Sequence, residues 1–281
     1  MTKVVSVEDA PVDYIDVGSG SPIVFVHGAY VTHALWADVI ARLADAHRCV
    51  APTFPFGAQR RPVGEDVDLG VVAAGRRIAN LLAELDLHDV TLVANDTGGG
   101  IVIAALGDTT LDWGRVSRLV LTNCDSYEHF PPKGFAPLVR LCRLSRAVGA
   151  AALWILTTPP GRALFAHSVT RDGIDASRQR AIFGGFLDSA VVRREAARFT
   201  AGLHPRYTVA ATEAISSWAN PVLIAWGTKD KLFPIAHARR LADGFTNATL
   251  REIEGSSTYV MLDRPGPTAE AIRAFIDNRA L

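Results

Sequence analysis

A carboxylate, several small residues and a change from strand to helix pattern meet in Val93-Ala94-Asn95-Asp96-Thr97-Gly98-Gly99. The apolar run Val90 to Ala94 stops there, and the glycines at 98, 99 and 100 open a helix that runs to about Leu106. Asp96 therefore stands at the apex of a tight elbow, where bulky side chains two positions before or after would clash. Ala94 and Gly98 meet that demand, and Gly99 lets the helix pack closely. A helix N-terminus favours an ionised carboxylate, which suits a nucleophile. Aspartate also commonly caps helices, so both roles stand open for Asp96 on this segment alone.

A second segment, His27-Gly28-Ala29-Tyr30, follows the apolar run Pro22 to Val26 about seventy residues earlier. In a strand-turn-helix enzyme such a loop supplies one amide of an oxyanion hole, and the residue after the apex supplies the other. Here the backbone N–H groups of Ala29 and Thr97 would converge over Asp96.

The elements needed to position these groups can be read from periodicity. Strand-like runs fall at Val12–Val17, Pro22–Val26, Arg48–Ala51, Val90–Ala94, Val116–Leu121, Val222–Trp226 and Thr249–Ile253. Helical spacing covers about 34–44, 71–85, 98–106, 235–244 and 267–278. The turn Gly18-Ser19-Gly20-Ser21 predicts a hairpin between the first two of these strands. Strands alternating with helices predict a mostly parallel sheet of α/β class. From Ser126 to about Ser216 no strand pattern occurs, and helices are separated by Pro131-Pro132, Pro159-Pro160-Gly161 and Pro205. The expected organisation is a core of residues 1–125 and 217–281 with a helical cap, 126–216, inserted into it.

The chain has 281 residues, with 29 basic and 29 acidic side chains. That balance gives no electrostatic case for nucleic acid or an anionic membrane as partner. Cys49, Cys124 and Cys142 form no CxxC pair, which suits free thiols in a reducing compartment. The N-terminal stretch is acidic rather than apolar, and Val148 to Leu156 is too short to span a bilayer. The expectation is a cytoplasmic protein with a small-molecule substrate; oligomeric state is left open. No histidine cluster has metal-ligand spacing, and Gly98-Gly99-Gly100 lacks a nucleotide-binding glycine pattern, so a cofactor-free site is expected.

The elbow, the oxyanion loop and the alternating core resemble the α/β-hydrolase superfamily along essentially the whole chain. With Asp96 at the apex, the chain looks most like the aspartate-nucleophile branch of haloalkane dehalogenases, fluoroacetate dehalogenases and epoxide hydrolases. Leu121-Thr122-Asn123-Cys124-Asp125-Ser126-Tyr127-Glu128-His129-Phe130 is similar to the fluoroacetate dehalogenase pattern at Tyr127-Glu128. The resemblance implies attack of Asp96 on carbon, loss of halide or opening of an epoxide, and an alkyl-enzyme ester. A histidine-activated water then hydrolyses the ester in that branch, with a carboxylate orienting the histidine. Trp226-Gly227-Thr228-Lys229-Asp230 with Phe233-Pro234 maps the orienting acid onto Asp230.

The chain departs from the family at the base. Matched through Asp263-Arg264-Pro265, the histidine position falls on Thr258, and no histidine follows His237. The halide-holding positions also differ, with Thr97 and Ala29 where dehalogenases often carry tryptophan or asparagine. Candidate pocket residues are His33, Tyr30, Asn123, Asp125, Tyr127, His129 and Tyr207, the tyrosines because a cap phenol can protonate an opening epoxide. Trp154, Phe165 and Trp218 are expected in apolar lining or core. Three functions are compatible with this pattern. One is a dehalogenase- or epoxide hydrolase-like enzyme on a small apolar substrate, with Asp96 as nucleophile and without the usual base. Another is a cyclase, isomerase or lyase using Asp96 as general acid/base, and the third is a pseudo-enzyme that binds a small ligand.

Overall fold

The apolar runs assemble into one eight-stranded sheet in a computed structural model that describes residues 2–278. Its strands are β1 (Lys3–Val7), β2 (Ala10–Val17), β3 (Pro22–Val26), β4 (Arg48–Thr53), β5 (Val90–Asn95), β6 (Val116–Cys124), β7 (Val222–Gly227) and β8 (Ala248–Ile253). Their order across the sheet is β1-β2-β4-β3-β5-β6-β7-β8, and every pairing from β4 to β8 is parallel. All six residues of β5 are buried, as expected of a central strand covered on both faces. The sheet is mostly parallel, as the alternation of elements predicts, and the fold is the α/β-hydrolase fold that the resemblance implies.

One local expectation is overturned. The Gly18–Ser21 turn does not close a hairpin: β2 pairs antiparallel with β1 on one side and β4 on the other, while β3 lies beyond β4. The hairpin is β1–β2, closed by Glu8 and Asp9, both at positive φ. Lys3–Val7 is a short edge strand, exposed along most of its length, so its hydrophobic alternation is too weak to mark it.

Helices Ala37–Leu43 and Pro265–Ile276 pack together, as do Val71–Glu84 and Asp96–Leu106. Between β6 and β7 the described residues form helices and no strand. Ser145, Thr158, Asp175 and Ser189 cap four of these helices by accepting from backbone N–H groups. Each such cap contributes about 1 kcal/mol, and together they divide a proline-broken segment into defined helices. Helices Ala136–Leu144 and Arg146–Ile155 pack against Ala190–Gly202, whereas Arg206–Ala210 and Thr212–Ser217 pack against Asp96–Leu106.

The elbow is held by close approach. A Cβ at Gly98 would lie 2.2 Å from the His27 carbonyl oxygen and 2.9 Å from Val26. Backbone cannot move aside as a flexible side chain can, so Gly98→Ala should destabilise the protein by about 1–3 kcal/mol despite alanine's helix propensity. The urea midpoint checks this, with Gly134→Ala, where no atom lies within 4 Å of the new Cβ, expected to stay near the native value. An unchanged midpoint for Gly98→Ala would contradict the packing account.

Candidate active site

Asp96 starts its helix from a left-handed conformation, φ +52°, straight after the extended Asn95. That geometry lifts the carboxylate out of the strand toward the His27–Tyr30 loop. Gly28 accepts it: a Cβ there would be 2.1 Å from Asp96 Oδ2. His27 stiffens the loop from behind. Its Nδ1 donates to the Gly28 carbonyl at 2.8 Å, and its Nε2 accepts from Phe54 N–H at 2.9 Å. Burial pushes the His27 pKa down to about 4, so the ring is neutral and structural.

In front of Asp96 lies a narrow cavity. Ala29, Tyr30, Thr97 and Thr200 line it with the nucleophile candidate, and Pro131, Phe135, Val139, Phe165, Leu203 and Leu232 supply an apolar wall. About 20 Å³ of it admits the centre of a water-sized sphere, room for one or two waters. Burial raises the Asp96 pKa to about 7, and the Asp230 charge adds to the rise. The amides of Thr97 and Ala29 act in the opposite sense, favouring the carboxylate. The two backbone groups expected to form an oxyanion hole thus both act on this side chain.

Asp230, at the end of β7, is fixed on both oxygens. Oδ2 accepts from Asn123 Nδ2 at 2.7 Å and from Thr258 Oγ1 at 2.9 Å, while Oδ1 accepts from Leu232 N–H and Phe233 N–H. Burial still raises its pKa, with these four donors opposing. Thr258 is fully buried, with its hydroxyl against Asp230. Asn123 also accepts from Gly227 N–H at 2.6 Å, locking β6 to β7. Asp125 is fully buried beside the elbow, and its N–H points at the Asp96 carbonyl. Burial first, and then the Asp96 charge, hold Asp125 well above the usual carboxylate range; the Thr97 side chain offsets this only in part.

Tyr30 does line the cavity, with its hydroxyl 2.6 Å from Thr200 Oγ1. Thr200 spends its own proton on the Ala196 carbonyl, so Tyr30 is the donor of that pair. Four other candidates lie elsewhere. His33 sits in a 3-10 turn that points its Nδ1 at Thr53 Oγ1, 2.6 Å away, in a separate surface groove with Arg60 and Arg61. Tyr127 lies under the Arg240 guanidinium at 3.9 Å and donates to the Arg240 carbonyl. His129 stacks on His237 at 4.2 Å and pairs with Glu128. Tyr207 packs against Arg206, whose guanidinium donates to its hydroxyl. None of the four lines the cavity. Of the aromatic residues, Phe165 lines it, whereas Trp154 is 55% exposed.

Asn95 was legible only as part of the elbow, yet it joins three segments of the site. Its Nδ2 donates to Thr122 Oγ1 at 2.9 Å, to the Asn123 carbonyl at 3.2 Å and to the Thr258 carbonyl at 2.9 Å. Thr200 and Leu203 carry no sequence signal, because only the folded path of Ala190–Gly202 brings them over Asp96.

Residues 23–271 match the model of the alpha/beta hydrolase family. Haloalkane dehalogenase 2 of Mycobacterium tuberculosis is 27% identical over 93% of this chain and 90% of its own length. Non-heme chloroperoxidase CPO-A1 of Kitasatospora aureofaciens is 28% identical over 87% of each chain. The crystal structure of a haloalkane dehalogenase from Bradyrhizobium elkani superposes with a TM-score of 0.81 at 16% identity, covering 99% of this chain and 98% of that one. The matched span takes in the elbow at Asp96, the His27–Tyr30 loop, the helices between β6 and β7 and the loops after β7 and β8: this chain belongs to the alpha/beta hydrolase family.

Proposed function

We propose that the chain is an enzyme acting on a small apolar electrophile, with Asp96 as the attacking carboxylate. The observation that carries this reading is the setting of Asp96: an apolar cavity in front of it and the amides of Ala29 and Thr97 acting on it. An Asp96 oxygen attacks a saturated carbon, forming a C–O bond as the C–halide or C–O(epoxide) bond breaks and its electron pair leaves with the departing atom. The product is an alkyl ester of Asp96. Similarity to a haloalkane dehalogenase favours a halide or epoxide over other electrophiles. Ala29 and Thr97 give a departing halide no indole or amide side chain, so an activated substrate suits this pocket better than a simple haloalkane.

Hydrolysis of the ester is the disabled step in this reading. It needs a base for water, worth about a hundred- to ten-thousand-fold. The Thr258 hydroxyl donates its one proton to Asp230 and cannot act as that base near neutral pH. A second reading, with Asp96 as general acid/base in a cyclisation, isomerisation or elimination, draws on the pKa of about 7.

Three outcomes test these readings. Intact mass after exposure to small alkyl halides and epoxides should show an adduct on the native protein, localised to Asp96 and missing from Asp96→Asn. Catalytic turnover without any adduct would instead favour the acid/base reading. The rate of alkylation should rise with pH about tenfold per unit up to about 7 and level off above it, because only ionised Asp96 attacks. An enzyme using protonated Asp96 would instead hold its activity below about pH 7 and lose it about tenfold per unit above. Thr258→His should speed loss of the adduct by about a hundred- to ten-thousand-fold, measured by mass against time. No gain in a folded variant would refute the assignment of Thr258 to the base position.

A further inference from the structure

The charge balance of the whole chain hides a segregated segment. Between Glu128 and Asp172 there is no aspartate or glutamate, while Lys133, Arg140, Arg143, Arg146, Arg162 and Arg171 fall there. Six of the ten large apolar side chains exposed among the described residues lie in the same segment: Leu141, Leu144, Val148, Trp154, Ile155 and Leu164. Leu144 is 75% exposed, Leu164 72%, Ile155 59% and Trp154 55%. Such exposure is uncommon for residues of this size when several stand together.

They stand on three consecutive helices that touch. Ala136–Leu144 packs beside Arg146–Ile155, joined through the Ser145 cap. Pro159–Val169 begins against the end of the second helix, so closely that a Cβ on Gly161 would meet the Ile155 carbonyl oxygen at 2.1 Å. Leu141 and Leu144, and Val148 and Ile155, recur at helical spacing, so each pair shares a face. The opposite faces of the first and third helices carry Val139, Phe165 and Val169 into the cavity. These helices are thus apolar on two sides, one facing the cavity and one facing outward.

We infer that the outer face of helices Ala136–Leu144, Arg146–Ile155 and Pro159–Val169 docks on an anionic lipid surface. Arginine and lysine flanking exposed leucine, isoleucine and tryptophan are the composition of a segment that lies in a bilayer interface, with tryptophan at headgroup depth. Arg146 is partly neutralised by Glu65, and Arg143 is spent on the carbonyls of Ala201 and Leu203. Lys133 and Arg140 are exposed and make no ion pair among the described residues. A second copy of the chain suits the face less well, because a twofold contact would set its basic residues against each other. Among the described residues no helix is long and apolar enough to cross a membrane, and the inferred contact is peripheral.

The test is flotation of the full chain with phosphatidylcholine vesicles, with and without roughly a third phosphatidylglycerol. Binding to the anionic vesicles alone is expected, with a blue shift in tryptophan emission that Trp154→Phe removes. Leu164→Ser and Trp154→Ser should each weaken binding, and Lys133→Gln with Arg140→Gln should weaken it about fivefold per charge. These positions are exposed, and circular dichroism checks that each variant is folded. Absence of binding, or equal binding to both vesicle types, would overturn the inference. So would a concentration-dependent dimer that Leu164→Ser disperses, which would make a second copy the occupant. Asp96 takes no part in any of these outcomes, so they are independent of the proposed chemistry.

Discussion

The left-handed backbone at Asp96 costs about 1–3 kcal/mol for a residue with a Cβ, and only the surrounding packing can hold it. Three things do so here. Gly98 lies against the His27 carbonyl, Gly99 lies against Cys124, and Asn95 ties the elbow to β6 and to Thr258. Gly28 then leaves room for the carboxylate itself. A Cβ at any of these glycines would push against the conformation that aims Asp96 into the cavity. The strand order follows the same need, since β5 between β3 and β6 brings the oxyanion loop to one side of the elbow and Asn123 to the other.

Electrostatics add a second constraint. Asp96, Asp125 and Asp230 are all raised, each by burial first. Asp230 is the best compensated, with four donors on two oxygens. Asp96 and Asp125 lie close enough that the ionisation of one opposes that of the other, so the pair holds a proton longer than either would alone. The folded state therefore binds protons more tightly than the unfolded chain. That contribution to stability is full below about pH 4, the unfolded value, and is lost as pH rises through the raised folded values. In the proposed reading, that loss falls near neutral pH, where an ionised Asp96 would attack.

The core was legible because its signals are local or strongly periodic. Ile235–Gly244 and the strands from Val90 onward are bounded much as their apolar runs suggest, and the elbow announces itself through Ala94, Gly98 and Gly99. Lys3–Val7 was missed because an exposed edge strand need not alternate. The cavity was legible only in part. Ala29, Tyr30 and Thr97 lie within a few residues of motifs, so their direction is set by local backbone. His33, Tyr127, His129 and Tyr207 were named for their chemistry, but each is drawn to a nearby polar or charged partner. The cavity's far wall comes from helices separated from Asp96 by tens of residues, and no periodicity reports which of their faces turns inward.

In the proposed reading, threonine at the base position changes the chemistry of the site while the contacts of the loop are kept. Threonine still offers a donor to Asp230, so the buried carboxylate keeps its partner and escapes the penalty of an unpaired charge. Its carbonyl still accepts from Asn95, so the loop after β8 stays anchored to the elbow. In that reading the site lacks the second nitrogen of an imidazole, the atom that would take a proton from water while the first stays bonded to the carboxylate. The Thr258 hydroxyl has one proton, and it is given to Asp230. The first half of the proposed mechanism needs only Asp96, its two amides and the apolar cavity. The proposed second half needs a proton acceptor where Thr258 donates, and the reading draws the line between alkylation and turnover at that one group.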